Sequence, residues 1–129
     1  MPDFLSPEWV EAAAGLSARR PEVPGATGTV SLSFQVAPRK EVGFSWRYDG
    51  GRPSPGSPGP AVDADLALTL SAPDGADVVS GRVEPSVSFM RGRLKAAGDG
   101  KLLLGFLEST TTAGFEDWRT TLAGLAPVP

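Results

Sequence analysis

Two alternating stretches limit what this chain can become. In residues 27–37, Val30, Leu32, Phe34 and Val36 alternate with Thr29, Ser31, Ser33 and Gln35. In residues 41–49, Val42, Phe44, Trp46 and Tyr48 alternate with Glu41, Gly43, Ser45 and Arg47. A period of two puts each set on one face of a strand. The short break at Pro38-Arg39 makes an antiparallel hairpin the simplest join. A two-stranded hairpin is not stable alone, so its apolar face needs a cover from elsewhere in the chain. The Thr29–Gln35 face is expected to meet water. A third alternation sets Leu66, Leu68 and Leu70 against Asp65, Ala67 and Thr69, and adds a strand over 64–70.

The cover is written in helix starts and stops. Ser6-Pro7-Glu8 opens a helix running to about Ala14, with Trp9, Val10, Ala13 and Leu16 on one side. Ser71-Ala72-Pro73-Asp74 opens a second, which reaches Ser80, stops at Gly81 and is anchored by Val78 and Val79. Pro85 starts a short third helix that Gly92 can end. A short strand follows around 93–97. Asp99 then caps a segment in which Gly105 is the one non-hydrophobe of Leu102–Leu107. After the polar break at Thr110–Thr112, a last helix spans about 113–125, with Phe115, Trp118, Leu122 and Leu125 as its stripe. Residues 19–26 read as a surface link, and the prolines and glycines of 52–62 argue against any regular element there. The fold class is α+β: about five strands, mostly antiparallel, with helices packed on one face.

Composition removes several functions. The 129 residues suit one domain, 1–129, able to bury about two thirds of its unfolded surface. Net charge is −3 and lies in no block, which argues against a nucleic-acid partner. The modest basic run Arg91, Arg93, Lys95 and Lys101 reads as a solvated edge. Histidine and cysteine are both absent, so the commonest general base, nucleophile and zinc ligands are missing. The carboxylate pairs Asp63/Asp65, Asp74/Asp77 and Glu116/Asp117 read as helix starts or solvent-facing residues. Neither GxGxxG nor GxxxxGK[ST] occurs in its required context. We expect no catalytic residue, no metal and no cofactor. No apolar run approaches a membrane span and no leader pattern opens the chain, so no stable membrane insertion and a cytoplasmic location are expected.

Residues 89–99, Phe89-Met90-Arg91-Gly92-Arg93-Leu94-Lys95-Ala96-Ala97-Gly98-Asp99, followed by an apolar helix, resemble the signature of the sterol carrier protein 2 (SCP2-like) family. Ala64–Ser71 resembles that family's central strand, and Gly81-Arg82-Val83-Glu84-Pro85 its lead-in. The opening Phe4–Trp9 looks like the start of short bacterial members. The resemblance covers about 4–125. It departs at the Pro-rich loop 52–62, which leaves the strand count between Gly51 and Asp63 open.

The resemblance implies non-catalytic binding of a sterol, fatty acid or acyl chain in an apolar tunnel between a curved sheet and helices. Candidate ligand-binding residues are then Phe44, Trp46 and Leu68 on the strands, Phe89, Met90 and Leu94 in the motif, and Leu103, Phe106, Leu107 and Trp118 on the later helices. The last helix, or its junction at 110–113, is the expected gate. The implied partner is an apolar small molecule or lipid. The alternative is a protein-interaction or regulatory subunit, with a protein partner or a homodimer, in which Trp46, Phe89 and Trp118 fill the former tunnel. A continuous void above about 300 Å³ would favour the carrier.

Overall fold

The hairpin forms as the alternation requires. In this computed structural model, which describes residues 3–129, β1 (Gly28–Ala37) and β2 (Lys40–Asp49) pair antiparallel. Val30 sits opposite Trp46 and Leu32 opposite Phe44, so the large apolar side chains share one face. β5 (Leu66–Ser71) lies parallel to β1, aligning Leu66, Leu68 and Leu70 with Val30, Leu32 and Phe34. β6 (Lys95–Gly98) pairs antiparallel with β5.

The Pro-rich loop is not wholly irregular, which corrects the reading of 52–62. β3 (Arg52–Pro53) and β4 (Ser57–Pro58) are two-residue strands along the free edge of β2. Proline is tolerated there because an edge position needs no donor on its outer side. The sheet order is β3-β2-β1-β5-β6, with β4 also on β2. The polar face is also less wet than its composition suggests. Ser31 and Ser33 are buried, and the returning loop donates the Ala61 backbone N–H to Ser31 Oγ at 3.1 Å.

Five α-helices cover the apolar face: α1 (Pro7–Gly15), α2 (Ala72–Ser80), α3 (Pro85–Met90), α4 (Gly100–Ser109) and α5 (Ala113–Ala123). Four start where an oxygen-bearing side chain offers an acceptor. Ser6 Oγ accepts from Trp9 N, Ser71 Oγ from Asp74 N, Asp99 Oδ1 from Lys101 N and Leu102 N, and Thr112 Oγ1 from Phe115 N. Each such cap contributes about 1 kcal/mol. α2 ends on Gly81 at φ +83°, a backbone conformation that costs a β-carbon-bearing residue energy. α2 can approach β1 closely because Gly75 has no side chain; a Cβ there would sit 2.4 Å from the Phe34 ring.

Residues 19–26 are not a surface link. A 3₁₀ turn (Leu16–Arg19) carries α1 onward, and Arg20 and Val23 are buried. Val23 N donates to Gly51 O and Gly51 N to Ala26 O, which bolts this segment to the end of β2. Trp118 Nε1 of α5 donates to Leu16 O at 2.9 Å, which ties the last helix to the 3₁₀ turn after α1.

Candidate functional site

Where β1 and β5 face α2, α4 and α5, the packing leaves a hollow of about 50 Å³. Its floor is Leu32, Phe34, Leu68 and Leu70; Leu94, Phe106, Val78 and Val79 form the sides. Phe115, Trp118, Arg119 and Leu122, all on α5, close it. The lining is apolar: Arg20 and Arg119 border it but present almost no polar surface to it.

Arg20 is the feature that sequence reasoning missed. It is 6% exposed, and its Cζ lies 3.7 Å from the Trp46 ring centroid and 3.9 Å from that of Trp118. The planar cation is thus held between two indoles. Burial pushes its pKa down to about 10, against a smaller opposing influence of Tyr48. The group remains charged at neutral pH, at a desolvation penalty of roughly 3 kcal/mol. Attraction to the faces of the two desolvated rings opposes this penalty and is of similar size. No helical pattern announces it, because α1 ends at Gly15, the 3₁₀ turn ends at Arg19 and Arg20 has extended backbone.

The hollow has a polar forecourt. A groove of about 380 Å³ runs between residues 81–85 and Thr110–Thr112. Pro85, Phe115 and Arg119 border both spaces. Arg119 spans that wall. Its Nη1 donates to Val79 O at 2.8 Å and its Nε to Glu116 Oε2 at 3.1 Å. The bond from Arg119 holds the Glu116 carboxyl below its ordinary pKa of 4.5. Among the described residues no group of three acidic, His or Cys side chains could hold a metal ion, and no helix is long and apolar enough to cross a membrane.

No family model and no curated protein matches this chain. Solved structures do. A conserved hypothetical protein from Thermus thermophilus, described as possibly a sterol carrier protein, superposes over 98% of this chain and 92% of its own with a TM-score of 0.70 at 18% identity. Sterol carrier protein 2 itself superposes over 91% of this chain and 98% of its own, with a TM-score of 0.69 at 17% identity. This chain has the sterol carrier protein 2 fold. A palmitated sterol carrier protein 2-like protein from Aedes aegypti matches over 81% of this chain and 90% of its own, with a TM-score of 0.57 at 17% identity.

Within this sterol carrier protein 2 fold, the ten candidate residues do not all meet. Leu68, Leu94, Phe106 and Trp118 line the hollow. Trp46 lies behind Arg20, and Phe44 stands beside Trp46, both buried outside it. Phe89, Leu103 and Leu107 are half-buried against the core without lining the void. Met90 is 83% exposed at the end of α3, whose buried residues are Pro85 and Ser88.

Proposed function

We propose that this chain binds the hydrocarbon part of a lipid between its sheet and helices and carries it without chemical change. The single observation behind the reading is the void itself. It lies between the sheet and α5, its walls are almost wholly apolar, and one helix beyond a polar turn roofs it. The palmitated Aedes aegypti protein of the same fold supports an acyl chain as the ligand. A pocket that holds a small molecule typically has about 300 Å³ or more, so a hollow of about 50 Å³ falls short of the size that favours the carrier, and a lipid would enter only if it enlarged. Loading requires α5 to lift. The threonines ahead of it bond locally, Thr110, Thr111 and Thr112 each donating to a carbonyl of Leu107–Ser109, so the bonds that lifting would break are those from Trp118 to Leu16 O and from Arg119 to Val79 O.

Each methylene moved out of water contributes about 0.8 kcal/mol. Eight would give roughly 6 kcal/mol before ordering costs, which sets an affinity of some tens of micromolar as the ceiling for a short chain. Residues 1–129 then act as one lipid-binding domain, working in the cytoplasm as a non-enzymatic carrier. The small volume favours a second reading, in which the space stays filled and the chain serves as a protein-interaction or regulatory subunit, or as a homodimer. Native mass spectrometry of gently purified protein separates them. A discrete added mass of one lipid is expected. A clean apo mass, with no uptake of an apolar dye, would sink the carrier.

A further inference from the structure

The two edges of the sheet are finished differently. The chain itself closes the outer edge of β2. β3 and β4 run along it, Ser54 N donates to Arg47 O and Gly59 N donates to Gly43 O. β6 ends the sheet on the other side, with β5 as its one strand neighbour. Asp99 N donates to Asp65 O, which makes these two residues a hydrogen-bonded pair at the end of the β5–β6 ladder. Along an antiparallel ladder such pairs alternate with pairs whose N–H and C=O groups point away from the neighbouring strand. The backbone of Lys95 and Ala97 therefore faces β5, and that of Ala96 and Gly98 faces outward. Among the described residues no backbone group outside the ladder pairs with Ala96 or Gly98.

The side chains around this edge narrow what it accepts. β6 holds no proline and, beyond Lys95, only Ala96, Ala97 and Gly98, so nothing bulky stands over the outward amides. The net charge of the chain is −3, yet Arg91, Arg93, Lys95 and Lys101 cluster around this strand. All four are exposed. Arg93 pairs with Asp74 at 3.3 Å, while the other three enter no ion pair among the described residues. The one acid of the stretch, Asp99, is engaged in capping α4 through Lys101 N and Leu102 N. Lysine on an edge guards against unwanted pairing. A second copy of β6 laid antiparallel would set two cationic stretches against each other, which is unfavourable. An acidic strand meets the reverse: its carboxylates pair across the edge while its backbone takes the free N–H and C=O groups. We propose that β6 is a docking edge for an extended acidic segment of a partner protein, which adds to the sheet as one more strand. This holds whether or not the hollow takes a lipid.

The test titrates two short end-blocked peptides, one alternating Glu with Val and one alternating Lys with Val, against the intact isotope-labelled chain by amide NMR. At low salt the acidic peptide should bind roughly tenfold tighter than its lysine twin. It should slow hydrogen exchange at Ala96 and Gly98 and change little at Lys95 and Ala97, whose amides already serve the ladder. Ala96→Pro removes one outward N–H, a change that an edge strand tolerates, and should weaken the acidic peptide by roughly tenfold. Lys95→Glu should bring the two peptides within about threefold. Acidic-peptide binding that leaves exchange at Ala96 and Gly98 unchanged, or that survives Ala96→Pro at full strength, would mean a purely electrostatic patch and overturn the proposal. Equal binding of the two peptides, binding of neither, or a dimer of the chain that Ala96→Pro dissolves would overturn it as well. Should Ala96→Pro not fold, the exchange pattern of the wild type decides alone.

Discussion

Around Trp9 the interior is built of rings meeting edge to edge. Phe4 lies at 5.0 Å and Phe34 at 6.2 Å, both steeply inclined, and Ala13 and Ala14 bring α1 down with no exposed surface to speak of. Around Trp118 the materials are similar and the result is not. Phe115 tilts against it at 5.7 Å, a charged guanidinium lies on its ring, and the hollow opens beside it. Both regions rest on the same sheet face. The first is arranged as a core, where edge-on aromatic pairs and small residues exclude voids. The second retains both a void and a buried cation, two features that lower stability. Packing alone accounts for the first region; the void and the stacked cation of the second are not explained by packing.

Removing a large side chain from each region should break this symmetry most sharply. Trp9→Ala should cost about 3–5 kcal/mol, because its neighbours are locked and cannot collapse into the space. Its indole N–H has no partner, so the loss is one of packing. Leu122→Ala, on the wall of the hollow, should cost only about 2 kcal/mol, the low end for such truncations, and should increase Nile red uptake by widening the void. Urea denaturation with matched m-values measures both. Equal losses would mean that the two regions are packed alike.

Adding volume should give effects of opposite sign. Ala13→Val crowds the filled side and should destabilise by about 1–3 kcal/mol. Val79→Leu grows into the hollow and should stabilise by about 0.5–1 kcal/mol, as cavity-filling changes do. It should also weaken displacement of Nile red by dodecanoate. If both variants lose stability, the hollow cannot take even one further methylene and is packed like the first region.

The helix starts and the hairpin of both regions were legible because their rules are local. Ser6, Ser71, Asp99 and Thr112 cap helices within three residues of themselves, and the Val30–Phe34 and Phe44–Tyr48 alternations need only a period of two. β3 and β4 escaped because each is two residues long and exists only through the edge of β2. Ser31 and Ser33 looked solvated because nothing in their own strand reports that a loop thirty residues later folds back over them. The site was half legible. Leu68, Leu94, Phe106 and Trp118 carry an apolar pattern, and they converge. Met90 sits in the same motif as Leu94, but α3 turns Pro85 and Ser88 inward and so points Met90 outward. Arg20 shows the limit: two tryptophans distant in sequence make its burial tolerable, and between Arg19 and Pro21 it reads as polar surface.

The smallest expected effect lies at the wall between the groove and the hollow, where the filled region has no counterpart. Arg119 holds α5 to α2 through Val79 O and is itself oriented by Glu116. The Glu116 carboxyl has its folded-state pKa depressed, chiefly by the hydrogen bond from Arg119. Such a group supports the latch fully above its unfolded value of 4.5 and loses that support as pH falls through the lowered value. Stopped-flow uptake of dodecan-1-ol, whose charge does not change with pH, should therefore be flat from about pH 8 to pH 5 and accelerate only below the carboxylate range. Glu116→Gln should take up the alcohol faster at every pH and lose the acid-side rise, with its denaturation midpoint unchanged, because an exposed ion pair contributes little to global stability. Far-UV circular dichroism at each pH separates lifting of one helix from acid unfolding of the whole. A Glu116→Gln profile that still accelerates below pH 4.5 would place the gate elsewhere than at α5.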